Sequence, residues 1–380
     1  MTTFMHIDDP LSSAEMRHEV AEAIMDDLVF IEHDGRRIVI GTILEEDVLV
    51  RREDVVDEFW NLHDLGGADL VKDDSFPQRF LLAEIALRAL QRLGTSKVVV
   101  PASFRLNDAD YLREKGIVLE VDDEAWAMRR RRKAPWELEG IERAQRAADT
   151  AMMTAARMLR EAERTNDGLL RFEGEILTAE WIRESMSAEL LTQGAESEEI
   201  LVHTGDACMK GHDLGTGPIL PDASCIIDCF PRDRRTGVYT DMTRTFVPGD
   251  PSKELKGLFE HVRVALDICF EESKPGRLGA HAAVVEYFHS KGFPTFDHHD
   301  SPEPLRHGFF HSIGHGVGLE VHERPRQGRR AEELMPGDVI AIEPGLYMPG
   351  VGGVRLEDTI VITEDGYQHL TDPLSYDLEP

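Results

Sequence analysis

The sequence predicts a two-domain chain, a small α/β domain followed by a larger mixed α+β domain whose strands run antiparallel. Three observations carry this expectation. A chain of 380 residues exceeds the size at which one hydrophobic core usually suffices. With 41% hydrophobic and 30% charged residues it can fill a sizeable core and is not a disordered chain. A dense basic run, Arg129-Arg130-Arg131-Arg132-Lys133, sets the division near residue 133, giving domains at 1–133 and 134–380.

In the first domain a helix is expected over 13–26. The apolar run 28–31, a turn at Asp34-Gly35 and the apolar run 38–40 form a hairpin signal. A second helix over 80–93 stops at Gly94, a buried strand over 97–100 stops at Pro101, and a further strand covers 116–121. His33 and His63 stand isolated and read as surface residues. The basic run at the junction reads as a solvated linker or as a source of interdomain salt bridges.

The second domain opens on Ala134-Pro135-Trp136-Glu137, with Pro near the first turn of a helix and an acid following. Leu138, Ile141, Ala148, Met152, Ala155 and Leu159 continue one apolar stripe along it. Further helices are expected over 177–191, closing at Gly194, and near 254–272 and 280–291, with short strands and glycine-rich turns between.

Composition limits the function classes. The 72 acidic and 42 basic residues give a formal net charge of -30, which repels nucleic acid and anionic membrane and favours cations. No apolar run reaches the length of a membrane span, and the N-terminus lacks a basic stretch followed by an apolar one, so a cytoplasmic protein is expected. Four cysteines, Cys208, Cys225, Cys229 and Cys269, are too few for a disulfide framework. Cys225 and Cys229 lack a second Cys/His pair at zinc spacing and read as buried thiols.

The chemistry concentrates in five residues, Asp228, Asp241, His315, Glu343 and Glu357, each in a segment that reads as a strand or strand edge. Four carboxylates and one imidazole form a hard, oxygen-rich set that suits two divalent ions better than one tetrahedral zinc. Asp228 ends an apolar run, and the chain turns back over 231–237 into a strand over 238–247. Alternation there puts Asp241, Thr243 and Thr245 on one face. Two carboxylates on adjacent strands repel and call for a cation between them. The segment 307–323 holds His307, His311, His315 and His322 among glycines that permit tight loops. One histidine reads as a ligand and the others as substrate-binding or proton-handling groups, and spacing alone does not say which. Glu343 closes an apolar strand. Arg355 and Glu357 share a face of another over 354–362, where a carboxylate is costly unless paired or metal-bound.

With these residues in view, the chain resembles the pita-bread metallopeptidases, in the branch of Xaa-Pro aminopeptidases and Xaa-Pro dipeptidases (prolidases). The resemblance covers residues from about 134 to 370 and rests on Ile227-Asp228, Asp241-Met242-Thr243-Arg244-Thr245, His311 through Leu319, Val321-His322-Glu323, Glu343-Pro344-Gly345 and Gly353 through Asp358. The small α/β domain matches the creatinase-like N-terminal domain of that branch in general layout. The resemblance implies that Asp228 binds one metal, that Asp241 and Glu357 bridge two, and that His315 and Glu343 complete the other. It implies hydrolysis of the bond between an N-terminal residue and proline by a hydroxide between the metals, with Glu343 as proton shuttle. His322 and His212 match positions that contact the scissile carbonyl and the tetrahedral intermediate, and His311 matches a pocket-lining histidine near the prolyl side. Arg355 and Thr243 would orient the carboxylates. Manganese is the expected metal, with cobalt, iron or zinc as alternatives, and a homodimer is expected. The basic stretch 229–237 departs from the family pattern in length and charge, which bears on the site rim or a dimer contact. Rival readings are another pita-bread aminopeptidase of different specificity, against which the separate N-terminal domain speaks, and a non-catalytic peptide-binding scaffold, against which the complete ligand set speaks.

Overall fold

The computed structural model describes residues 2–211, 213–371 and 376–380. The chain divides into two compact units, Met1–Trp136 and Glu137–Pro380.

The first unit is a six-stranded sheet with helices. Strands β1 (Phe4–Asp8), β2 (Leu28–His33), β3 (Arg36–Gly41), β4 (Glu58–Asn61), β5 (Lys97–Val100) and β6 (Val118–Val121) lie in the order β4-β3-β2-β1-β5-β6. The expected hairpin is β2–β3, paired antiparallel from Val29↔Ile40 to His33↔Arg36, and Asp34 and Gly35 turn it with positive φ. The expected first helix is shorter. Helix α1 (Ala14–Val20) begins where the Ser13 hydroxyl caps the Met16 amide and ends at Ala21 in the left-handed region. Helix α2 (Ile43–Leu49) carries a capping box between Thr42 and Glu45. Helices α3 (Gly67–Lys72), α4 (Leu81–Leu93) and α5 (Leu106–Glu114) follow, and Gly94 closes α4 at φ 72°.

The basic run is not a solvated linker. It ends helix α6 (Asp123–Arg131), where cations favour the negative helix terminus. Arg130, Arg131 and Lys133 are buried, and Arg129 donates to Glu19 and Glu32 at 2.9 and 2.7 Å. His33 is hydrogen-bonded to Thr3 at 2.8 Å rather than free on the surface, whereas His63 is exposed.

The second unit begins within helix α7 (Pro135–Glu161), whose stripe of Ile141, Ala148, Met152, Ala155 and Leu159 lies in the core, while Leu138 at its start is only half-buried. Small strands β7 (Glu163–Arg164), β8 (Leu170–Phe172) and β9 (Glu175–Ile176) form one sheet, followed by helix α8 (Ala179–Thr192). Strand β10 (Ala195–Glu196) precedes the three strands that frame the site: β11 (Ile200–Thr204), β12 (Cys225–Cys229) and, after β13 (Arg232–Asp233), β14 (Met242–Phe246). They form the sheet β11-β12-β14. Helices α9 (Lys253–Glu272) and α10 (His281–Ser290) precede β15 (Gly314–Gly316), β16 (Glu323–Gln327), β17 (Val339–Ile342), β18 (Gly345–Met348), β19 (Gly352–Arg355), β20 (Asp358–Ile362) and β21 (Tyr367–His369). Of these, five make the sheet β16-β15-β17-β20-β21 and β18 pairs with β19. The strand ladders of this unit are antiparallel, as expected.

Two local expectations need correction. The turn over 231–237 is no simple hairpin loop: β13 pairs with β10, Arg232 and Arg234 both meet Glu196 at 2.8 and 3.4 Å, and Asp233 meets Arg143 at 3.0 Å. The single strand expected over 354–362 breaks at Leu356-Glu357, where the chain leaves the β18–β19 pair and enters the five-stranded sheet. The four cysteines are free and buried. Among the described residues no helix is long and apolar enough to cross a membrane.

Candidate metal centre

Strand alternation aims Asp228. On β12, Cys225, Ile227 and Cys229 enter the apolar core of the second unit, which leaves Ile226 and Asp228 on the opposite face. Asp228 stands opposite Leu201 on β11 and Thr243 on β14. Asp241 immediately precedes β14, and its backbone is held on both sides by the Thr359 hydroxyl, which donates to the Asp241 carbonyl at 2.8 Å and accepts from its amide at 3.2 Å.

His315 is the middle residue of β15, squeezed between β16 and β17. A Cβ at Gly314 would lie 2.0 Å from the Ala341 carbonyl oxygen, and one at Gly316 would lie 2.2 Å from that of Arg324. The glycines around the histidine are therefore a packing requirement. Glu343 follows β17, its amide donating to the Ile313 carbonyl at 2.8 Å. Glu357 occupies the break between β19 and β20. Its amide donates to the Thr243 carbonyl at 3.0 Å, and its own carbonyl accepts from Arg244 Nη1 at 2.8 Å.

The structure brings Asp241, His315 and Glu357 together, with one ligand atom from each within 4.8 Å of the others. His315 Nε2 lies 3.6 Å from Asp241 Oδ2 and 4.0 Å from Glu357 Oε1. Asp228 and Glu343 line the same cavity of about 540 Å³ but stand apart from that triplet, Asp228 paired with Arg355 Nη2 and Glu343 Oε2 lying 3.8 Å from His311 Nδ1. Thr243 Oγ1 donates to Glu357 Oε2 at 2.6 Å and accepts from Arg355 Nε at 3.1 Å, so Thr243 and Arg355 reach the carboxylates as a linked pair.

Burial and mutual repulsion oppose the ionisation of these acids. Burial, with Glu357 next in weight, holds the Asp241 carboxyl well above the usual carboxylate range. Burial and then Glu343 do the same to Glu357. Glu343 is pushed up to about 7 by burial, with Asp228 adding to the rise. Burial, assisted by His322, lowers His315 to about 4 and so keeps it neutral and able to ligate. Asp228 Oδ1 is buried without a hydrogen-bond partner. A buried carboxylate oxygen without a partner, on the cavity that the clustered ligand atoms of Asp241, His315 and Glu357 also line, fits the chemistry of hard divalent ions.

His311 and His322 line the cavity, with His322 meeting His315 edge-on at 4.2 Å between ring centroids. His311 Nε2 is 3.1 Å from the Tyr347 hydroxyl, and burial followed by the Arg355 charge lowers its pKa to about 4. His307 is not among the lining residues, and His212 lies outside the described residues. Sequence reasoning missed Tyr347, Phe230, Phe310 and the β11 residues Leu201 and His203, all of which line the cavity. The alternation Leu201, His203 opposite the even-numbered face of β12 was the available signal.

Known proteins resemble this chain in sequence and in fold. The model of metallopeptidase family M24 matches residues 139–364. A Xaa-Pro dipeptidase of Pyrococcus furiosus is 30% identical over 240 residues, covering 63% of this chain and 62% of that protein. An uncharacterized peptidase, YqhT, of Bacillus subtilis is 34% identical over 185 residues, covering 47% and 49%. The chain thus spans about half to three fifths of the length of these curated relatives. Among solved structures, the prolidase from Pyrococcus furiosus shares the fold with a TM-score of 0.72 at 22% identity, covering 99% of this chain and 97% of that one. An X-Pro aminopeptidase from Thermotoga maritima does so with a TM-score of 0.74 at 19% identity, covering 98% and 96%. The α+β pita-bread architecture is the fold of this chain.

Proposed function

The chain belongs to metallopeptidase family M24, and from that premise we propose that it is an exopeptidase cleaving the bond between an N-terminal residue and proline. The observation that carries this reading is the convergence of Asp241, His315 and Glu357 within 4.8 Å, on a cavity that Asp228 and Glu343 also line. A Xaa-Pro dipeptidase among the relatives supports the substrate class.

Asp228, Asp241, His315, Glu343 and Glu357 would hold two divalent ions, whose chemistry is to polarise the scissile carbonyl and acidify water. Manganese is the expected pair, with cobalt, iron or zinc as alternatives. Glu343, held near neutrality by burial, can take a proton and return it to the leaving nitrogen. His322, against the His315 ring, reaches the cavity where a carbonyl oxygen would lie, and His212 is proposed to share that task. His311, fixed by its Nδ1 contact to the Ser312 carbonyl at 2.7 Å and by Tyr347, would line the prolyl side. Thr243 and Arg355 hold Glu357 and Asp228 in place. The acid-rich site attracts the free amino group of the substrate. A homodimer in the cytoplasm belongs to the same reading.

Purified protein supplied with Mn²⁺ or Co²⁺ is expected to release the first residue from Xaa-Pro peptides. Folded protein that turns over no such peptide with any divalent metal would sink the proposal.

A further inference from the structure

Arg244 on β14 is held unevenly. Its Nη2 donates to Asp358 Oδ1 at 2.8 Å, while its Nη1 donates to the backbone carbonyls of Thr243 and Glu357 at 3.0 and 2.8 Å. Its Nε is buried and has no hydrogen-bond partner among the described residues. A guanidinium beside a carboxylate commonly gives two parallel bonds, one to each oxygen. Arg244 gives Asp358 only one, although both side chains are almost wholly buried.

The second carboxylate oxygen is taken. Tyr376 donates its hydroxyl to Asp358 Oδ2. Its ring centroid lies 4.9 Å from the Arg244 guanidinium carbon and 4.3 Å from that of Arg263 on α9. The segment is fastened beside β14, because the Val247 amide donates to the Leu378 carbonyl at 2.7 Å. His369 Nδ1, at 3.8 Å from Oδ2, is beyond hydrogen-bond reach.

Where Nη1 points matters to the cluster. The Thr243 carbonyl that it meets also accepts the Glu357 amide at 3.0 Å, so Nη1 clamps the backbone of Glu357 onto the strand that follows Asp241. We infer that Tyr376 is a positioning residue for Glu357. By occupying Asp358 Oδ2 it denies Arg244 the two-pronged pair and leaves Nη1 on the two carbonyls. Without the hydroxyl, Oδ2 draws the unpaired Nε, the guanidinium turns, and Nη1 leaves the Glu357 backbone. The consequence for metal binding rests on the reading above, in which Glu357 is a ligand.

Tyr376→Phe keeps the ring beside the guanidinium and removes only the hydroxyl. Its affinity for Mn²⁺ in a calorimetric titration is expected to fall about tenfold. Its melting temperature in chelator should change little, because Arg244 trades a carbonyl bond for a second bond to Asp358. Tyr376→Ala, which also loses the ring, should lower both. A residue that only packs would give the reverse pattern in Tyr376→Phe, a lower melting temperature with unchanged affinity, and that result would overturn the inference. Metal-free protein supplies an independent readout. Hydrogen exchange at the Glu357 amide should quicken about tenfold in Tyr376→Phe, while the Met152 amide on α7 exchanges as in wild type. Wild-type protein that binds no Mn²⁺ refutes the metal reading, and the exchange comparison still decides the role of Tyr376. Unchanged exchange at Glu357 overturns that role.

Discussion

Arg244 Nη2 and Asp358 Oδ1 form an ion pair at 2.8 Å whose side chains are 1% and 0% exposed. Arg244 also donates through Nη1 to the Thr243 and Glu357 carbonyls at 3.0 and 2.8 Å, so one guanidinium ties the strand that follows Asp241 to the segment that carries Glu357. Its removal leaves the buried Asp358 carboxylate without its guanidinium, although the Tyr376 hydroxyl still donates to it. Arg244→Ala is expected to cost about 3–5 kcal/mol in chemical denaturation and to weaken divalent-metal binding as well. A cost below about 1 kcal/mol would show that the pair does not fasten the site.

Thr243 gives a finer test of the same framework. Its hydroxyl donates to Glu357 at 2.6 Å and accepts from Arg355 at 3.1 Å. Thr243→Val keeps the shape and removes both bonds. Metal affinity is expected to fall by about 10–100-fold in a calorimetric titration, with a much smaller change in melting temperature than for Arg244→Ala.

The crowded carboxylates destabilise the metal-free fold, since burial and mutual repulsion oppose their ionisation in Asp241 and Glu357. Asp241→Asn removes one charge. Thermal melts in chelator should show the variant more stable than wild type, on the order of 1 kcal/mol. Added divalent ion should then raise the melting temperature of wild type and leave the variant nearly unmoved. A wild-type melt that ignores the metal would contradict this.

His6 supplies a pH dependence in the first unit. It is fully buried between the Phe104 and Trp126 rings, with Nε2 3.2 Å from the Ser13 hydroxyl. Burial, assisted by the Arg105 charge, lowers its pKa from 6.5 to about 3. Above 6.5 both folded and unfolded states are neutral and its contribution is intact. As pH falls below 6.5 only the unfolded state gains the proton, so stability is lost from about 6.5 toward about 3, by at most about 1.4 kcal/mol per pH unit. The stability gap between wild type and His6→Gln should narrow as pH drops from 7 to 5, and a constant gap would refute the assignment.

Much of this molecule was legible in its residues. The hairpin at Asp34-Gly35, the stop of a helix at Gly94 and the stripe along α7 follow from local periodicity and turn chemistry, which tertiary contacts reinforce. The placement of Asp228 followed from an apolar run ending in an acid. The break at Leu356-Glu357 did not, because it depends on the Glu357 amide reaching Thr243, a residue 114 positions away. The first strand, Phe4–Asp8, escaped notice for a related reason: its burial comes from β2 and β5 on either side, which no short window reveals. The basic run misled because charge suggests solvent, whereas Glu19 and Glu32 wait for Arg129 elsewhere in the sequence.

Metal content decides whether the carboxylate cluster is a metal centre. Protein purified without chelator and analysed by mass spectrometry should carry about two divalent ions per chain, and Asp241→Asn should carry fewer. Wild-type protein that retains no divalent ion, and takes up none when manganese or cobalt is supplied, would contradict it.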